Sequence, residues 1–336
     1  MAALPDSPPD ATTADQHHFH AQSFQGQKPG PRLIVLGAVH GNETCGTQAI
    51  RRILAELKAG TLAIAAGRVT FVPITNPLAY AKRERNGERN LNRNLGPVAD
   101  PHDFEDRIAN WLCPMLADHD VLLDLHSTRA QNGAFAMLGP RNNEGSLQPF
   151  KHEERERALA RHLGVDRFVD GWLDTYAHGV ARRMARVGAA QSRADILSTD
   201  PRYGVGTTEY MRSVGGSAIT LECGQHEDAR SPEVGYHAIR NTLAFLGLSG
   251  ETPPPAVGDF ESLSLVAVHD REHEGDSFAQ PWASFNRFAA GDLIARRHDG
   301  TELTAPAKGC IMFPDAHAKP GNEWFYFAKE NPRGQL

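Results

Sequence analysis

Cysteine is scarce, and its spacing excludes two common scaffolds. Cys45, Cys113, Cys223 and Cys310 are scattered along 336 residues with no CxxC pair, so neither a cysteine zinc site nor a disulfide framework is indicated. No apolar run approaches the roughly 20 residues needed to cross a bilayer. The opening stretch MAALPDSPPDATTADQ has acids and prolines but lacks the apolar segment of a secretory signal. Basic excess is also missing: the formal net charge of −6 gives no footing for nucleic-acid binding. No internal repeat is evident. These absences leave a cytoplasmic protein with reduced thiols, no membrane segment and no nucleic-acid partner as the expectation.

The sequence is otherwise that of an ordinary globular protein, 40% hydrophobic and 23% charged. Its length calls for one large domain and a smaller one. Residues 1–16, rich in Pro, Asp, Ala and Thr, read as a disordered tail. Residues 17–248 alternate short apolar runs with amphipathic stretches. RLIVLGAV, RVTFVPIT, VLLDLH and SAITLEC read as strands, and the segments opening TQAIRR, FEDRIAN, HEERER and VGYHAIR read as helices. In the first helix Ile50, Ile53, Leu54 and Leu57 fall at helical spacing, with Gly60 as C-cap. The predicted fold class is α/β, a mixed, largely parallel sheet flanked by helices. SGETPPPAVGD (249–259) reads as a linker, and 260–336 as a small C-terminal β domain built from LSLVAV, DLIAR, GCIMF and WFYFA.

Three residues carry the chemistry. His40 and Glu43 lie in LIVLGAVHGNETCG and His126 in DVLLDLHSTRA, each just past an apolar run that ends in a polar turn. Two imidazoles and a carboxylate suit Zn²⁺ while leaving a position open, as in hydrolytic zinc sites. Asp124, two residues before His126 on the same strand face, is placed to orient that imidazole. The loop NPLAYAKRERNGERNLNRN (76–94) packs Arg83, Arg85, Arg89 and Arg93 with Asn90, Asn92 and Asn94, groups suited to a carboxylate-bearing substrate. Glu222 ends the strand SAITL, where it is placed to face the same crevice as a general base and acid. His17, His18, His20, His269 and His273 lie in polar segments and read as surface residues.

Together the HGNE after the first strand, the NPLA…R…LNR segment, the DLH strand end and the E-x-G strand end resemble the succinylglutamate desuccinylase/aspartoacylase family of zinc-carboxypeptidase-like metallohydrolases. That resemblance runs from about Arg32 to His226. It implies one Zn²⁺ per subunit on His40, Glu43 and His126, with Glu222 as catalytic base and Arg85 polarising the scissile carbonyl. It further implies substrate contacts from Asn92, Arg93, Arg212 and Tyr326. The implied activity is removal of an acyl group from a small anionic N-acyl amino acid; homo-oligomerisation stays open. Peptide cleavage by a carboxypeptidase, or metal and ligand binding without catalysis, are the competing readings.

The sequence departs from the family at several points. Asn90 stands where the family has an acid, Asn86 follows Arg85 in place of tyrosine, and Cys-Gly-Gln-His follows Glu222. GDLIARRHDGTELTAPAKGCIMFP resembles a biotinyl or lipoyl hairpin but lacks the Met-Lys-Met tip.

Overall fold

A computed structural model describes residues 18–186 and 199–331. The expected tail 1–16, and His17 after it, lie outside the described residues. The strands are β1 (Gln22–Gln25), β2 (Lys28–Leu36), β3 (Ala66–Val72), β4 (Val121–Thr128), β5 (Phe135–Met137), β6 (Arg167–Asp170) and β7 (Ser217–Gln225). There follow β8 (Glu261–Asp270), β9 (Ser277–Phe278), β10 (Arg287–Phe288), β11 (Leu293–Arg296), β12 (Glu302–Thr304), β13 (Gly309–Met312) and β14 (Glu323–Glu330). The helices are α1 (Cys45–Ala59), α2 (Pro77–Lys82), α3 (Phe104–Ala117), α4 (Glu153–Ala160), α5 (Trp172–Arg186), α6 (Thr207–Ser213) and α7 (Ser231–Phe245).

An eleven-stranded sheet runs β1-β3-β2-β4-β7-β5-β6-β8-β14-β13-β10. Its centre, β3-β2-β4-β7, is parallel, as expected for strands joined by helical crossovers. All eight residues of β4 are buried, which explains why VLLDLH reads as an unbroken apolar run. Along β2 the side chains alternate between two cores. Leu33 and Val35 pack with Ile50 and Ile53 of α1 and Ile239 of α7, whereas Ile34 and Leu36 pack with Ile108 and Leu112 of α3. Gly60 closes α1 with a left-handed φ of 73°, as its sequence position predicts.

The stretch 249–259 leads into β8, which pairs in parallel with β6 at Arg167↔Glu261, so strands beyond it extend the same sheet. β14 returns antiparallel to β8, and β9, β11 and β12 form a separate three-stranded sheet. None of the described helices is long and apolar enough to cross a membrane.

Several elements escape sequence patterning. β1, β5, β6 and α6 are too short for a period to show. α5 contains Gly179, where a side chain would collide with Val268, so close packing on β8 sets the residue at the expense of helix propensity. α4 stops at Ala160, earlier than the stretch to Gly164 predicts, and the chain turns toward β6.

Candidate metal centre and active site

Each site residue sits at the carboxyl end of a central strand or on a loop held against it, the usual location of sites in such sheets. Where the chain leaves β2, Ala38 takes a left-handed φ of 47°, a strained turn for a residue with a side chain. Gly37 O accepts from Thr75 N–H and Ala38 O from Asn76 N–H, which ties this turn to the loop after β3. Gly41 is required by close approach: a Cβ there would collide with the backbone of Ala79 in α2. His40 and Glu43 are thereby held in the interior, both almost fully buried.

Glu43 is the hub. Its Oε1 lies 2.9 Å from His40 Nδ1 and accepts from Arg85 Nη1 at 2.9 Å. Its Oε2 lies 2.9 Å from His126 Nδ1 and accepts from the Ser127 amide at 3.1 Å. The far nitrogens are oriented as well. His40 Nε2 lies 3.0 Å from Asn90 Oδ1, and His126 Nε2 lies 2.9 Å from Asp124 Oδ2. Asn90 therefore keeps an acceptor where the family has an acid, without the charge. The same oxygen accepts the Asn92 N–H, which fixes the loop turn.

These surroundings fit a divalent cation. One donor atom from each of His40, Glu43 and His126 can be chosen so that all lie within 4.8 Å of one another. His40 Nδ1 is buried with Glu43 Oε1 as its close polar neighbour. Burial and the Arg85 charge push the His40 imidazole down to about 4, so it is neutral at ordinary pH, the form a metal ligand requires. Burial alone would also lower His126, but the Asp124 and Glu43 carboxylates outweigh it and hold that imidazole well above its usual range. Burial would raise Glu43, yet the two imidazoles keep it well below.

Glu222 reaches the same crevice by strand register. β7 lies beside β4 with Glu222 opposite His126, and the pairing sets both side chains on one face. Burial pushes its carboxyl up to about 8, with His126 drawing it down and Glu43 driving it up. Its Oε2 has no hydrogen-bond partner among the described residues.

The arginine loop divides into members tied into the fold and members left at the crevice. Buried Glu105 accepts the amides of Gly87, Glu88 and Arg89, so one carboxylate shapes the loop. Arg89 is committed to Asp103 and Asp106. Arg85 stays half-exposed against Glu43, at the mouth of the crevice. Arg93 turns inward, its Cζ 4.7 Å over the Trp172 ring and its Nη2 3.8 Å from Glu323 Oε1. Asn92 Oδ1 accepts the Thr207 amide at 2.9 Å, and the Thr207 hydroxyl in turn bonds Asp124. This links the loop to the support of His126. Tyr326, on β14, is 3% exposed and its hydroxyl has no hydrogen-bond partner among the described residues. It stacks against Trp172 with ring centroids 5.6 Å apart, on the Arg93 side of the crevice.

Arg212 is not brought to this place. It donates to Glu156 at 2.8 Å, Glu209 at 3.3 Å and the Ala218 carbonyl at 2.7 Å, at the opposite end of β7 from Glu222. The substrate contact expected of it has no support in its surroundings. Two groups that the sequence reading passed over do face the crevice. His226 Nδ1 lies 2.9 Å from Ser127 Oγ, and Glu323 stands against Arg93. The spacing of Trp172, Tyr176 and Arg183 along one face of α5 was the available signal for the Arg93 surroundings. Of the other histidines, His269 stacks on Phe325 and His273 on His298, both away from the centre.

The fold and the buried His-Glu-His set beside a strand-end carboxylate define a hydrolase-type α/β architecture built around a candidate metal centre. Residues 29–166 match the succinylglutamate desuccinylase/aspartoacylase catalytic domain. It is 24% identical over 315 residues to the succinylglutamate desuccinylase of Pseudomonas aeruginosa, covering 87% of this chain and 82% of that one. It is 34% identical over 139 residues to a rat N-acyl-aromatic-L-amino acid amidohydrolase, covering 37% and 40%. The fold matches a succinylglutamate desuccinylase/aspartoacylase from Rhodobacter sphaeroides with TM-score 0.66 at 16% identity, covering 93% and 90%. It also matches the ectoine utilization protein EutE (DoeB) from Ruegeria pomeroyi, TM-score 0.66 at 21% identity, covering 92% and 88%.

Proposed function

We propose that this protein is a zinc-dependent amidohydrolase that removes the acyl group from a small anionic N-acyl amino acid. The observation that carries this reading is Glu222, a buried carboxyl pushed up to about 8 that stands in register beside His126 with a free oxygen. A base whose pKa lies near the working pH is suited both to accept a proton and to return it. His40, Glu43 and His126 would hold the ion, which supplies Lewis acidity for the scissile carbonyl.

The chain's own groups do the rest. Glu222 takes a proton from the attacking water as the water oxygen bonds to the acyl carbon. Arg85 donates to the carbonyl oxygen as it gains negative charge. Glu222 then hands its proton to the departing nitrogen as the C–N bond breaks, leaving a carboxylate and an amine. Arg93, with Asn92 beside it, anchors the substrate carboxylate. The four thiols are free and buried, in keeping with the cytoplasmic setting we assign.

The test is a hydrolysis screen of zinc-loaded protein against N-acetyl and N-succinyl derivatives of Asp, Glu and neutral amino acids, with peptides in parallel. Cleavage of N-acyl amino acids that is lost in Glu222→Gln is the expected result. Cleavage of peptides alone would make the protein a carboxypeptidase, and full turnover by Glu222→Gln would remove the proposed base.

A further inference from the structure

We propose that His226 is a positioning residue of the candidate metal centre: through Ser127 it aims the peptide N–H that holds Glu43. The inference deepens the amidohydrolase reading and rests on it for the metal, not for the substrate.

Strand register brings His226 to this place. On β4 and β7, His126 stands opposite Glu222 and Thr128 opposite Gln225, so Cys223 and Gly224 together stand against Ser127 alone. Gly224 takes a positive φ of 125°, which a residue with a side chain rarely adopts. In an unbroken strand His226 would fall on the Glu222 face. The extra residue turns it to the other face, where Ser127 lies. The His226 amide closes this bulge by donating to Thr128 O at 2.9 Å.

Ser127 passes the constraint on to Glu43. The peptide unit between His126 and Ser127 is gripped on both edges. Its carbonyl oxygen accepts from Cys45 Sγ at 3.4 Å, and its N–H donates to Glu43 Oε2 at 3.1 Å. A peptide unit is planar, so fixing Ser127 fixes the direction of that N–H. Ser127 is 3% exposed, and its Oγ lies 2.9 Å from His226 Nδ1. Cys45 opens α1 two residues after Glu43, so its grip comes from the carboxylate's own segment. His226 supplies the independent anchor, from the end of β7.

Glu43 needs such a fixture. It is almost fully buried, and each of its oxygens lies 2.9 Å from an imidazole nitrogen of the same candidate set. An amide bond to a carboxylate is strong and directional, and outer contacts of this kind set how a ligand meets its ion. A plain latch between β4 and β7 would have no such relation to Glu43, and experiment separates the two.

The experiment uses the full chain and three readouts. These are zinc affinity by competition with a chromophoric chelator, the visible spectrum of the cobalt-loaded protein, and thermal unfolding without metal. His226→Ala should lower zinc affinity about tenfold and shift the cobalt bands. His226→Asn, whose amide reaches the Nδ1 position, should restore the bands and bind zinc within about threefold of wild type. His226→Gln, whose amide reaches the Nε2 position, should behave like the alanine variant. Ser127→Ala should match His226→Ala, and the two together should lose no more than either alone.

A lower unfolding temperature in His226→Ala with affinity and bands unchanged would reduce His226 to a strand latch and overturn the inference. Absence of rescue by asparagine, or additive losses in the double variant, would overturn it too. If His226→Ala does not fold, Ser127→Ala and His226→Gln, read against His226→Asn, decide. A wild type that binds neither zinc nor cobalt would sink the metal reading and this inference with it. The expected metal pattern with no hydrolysis of any N-acyl amino acid would sink the amidohydrolase reading alone.

Discussion

Two buried ionic clusters lie at opposite ends of β7, and they differ in how completely they are satisfied. At its start, Glu156 accepts from Arg212, the Ala218 amide and the Gly139 amide, while Glu209 accepts from Arg212, Thr208 and the Gly206 amide. No side-chain atom of these three residues is left without a partner. At its end, Glu222 Oε2 and Asp124 Oδ1 are buried and lack hydrogen-bond partners among the described residues. A saturated cluster ties segments together and has nothing left to offer a ligand. An unsaturated one costs stability unless something else completes it. Burial and charge therefore do not set the candidate site apart from the other ionic cluster in this molecule, whereas leftover bonding capacity does.

The largest effect is expected at the unsaturated end. Glu222→Gln should lower kcat on the order of 10³-fold with zinc content unchanged. It should also stabilise the metal-free protein. A carboxyl held up to about 8 in the fold keeps a proton that the unfolded chain releases above about 4.5, so stability falls as pH rises between those values. Thermal unfolding of metal-free wild type and variant at pH 5 and pH 8 should show the variant gaining about 1–3 kcal/mol at the higher pH and little at the lower. A variant no more stable at pH 8 than at pH 5, relative to wild type, would mean that this end carries no stored cost.

The saturated end should respond in the opposite manner. Arg212→Met strands two buried carboxylates, and denaturant titration should register a loss of about 3–5 kcal/mol. Activity per folded molecule should change less than about threefold. A hundredfold loss of kcat/KM with stability intact would erase the division between the clusters.

Arg93→Ala tests the intermediate case, a guanidinium that is stacked but only partly paired. KM should rise about 30- to 100-fold with little change in kcat, because the bond to a substrate carboxylate serves ground and transition states alike. The smallest effect is expected at Asn90. Asn90→Asp restores charge to an acceptor that already faces His40, so competitive chelation should show zinc affinity rising by no more than about tenfold. Weaker binding in that variant would show that the neutral amide is needed.

The candidate metal-binding set was legible because each member sits within a local pattern, an apolar strand followed by a polar turn. That pattern fixes which end of the sheet the side chain occupies. Glu222 was legible for the same reason, and α1, α3 and α7 because long amphipathic helices repeat their period several times. Arg212 was misleading because its distance from Glu222 along the chain matches the family, while its partner Glu156 comes from a segment 56 residues earlier. Glu323 was missed because it reads as a polar residue opening a strand. Nothing local announces that Arg93 and Arg183 will stand beside it.

The sequence by itself pointed to the candidate donor set, the strand ends that carry it and the family it resembles, since all three rest on residues close together in the chain. Tertiary structure alone decided which arginines are consumed as internal ties and which remain to meet a substrate. That division depends on counting hydrogen bonds among groups drawn from distant segments, and only the folded chain brings those groups together.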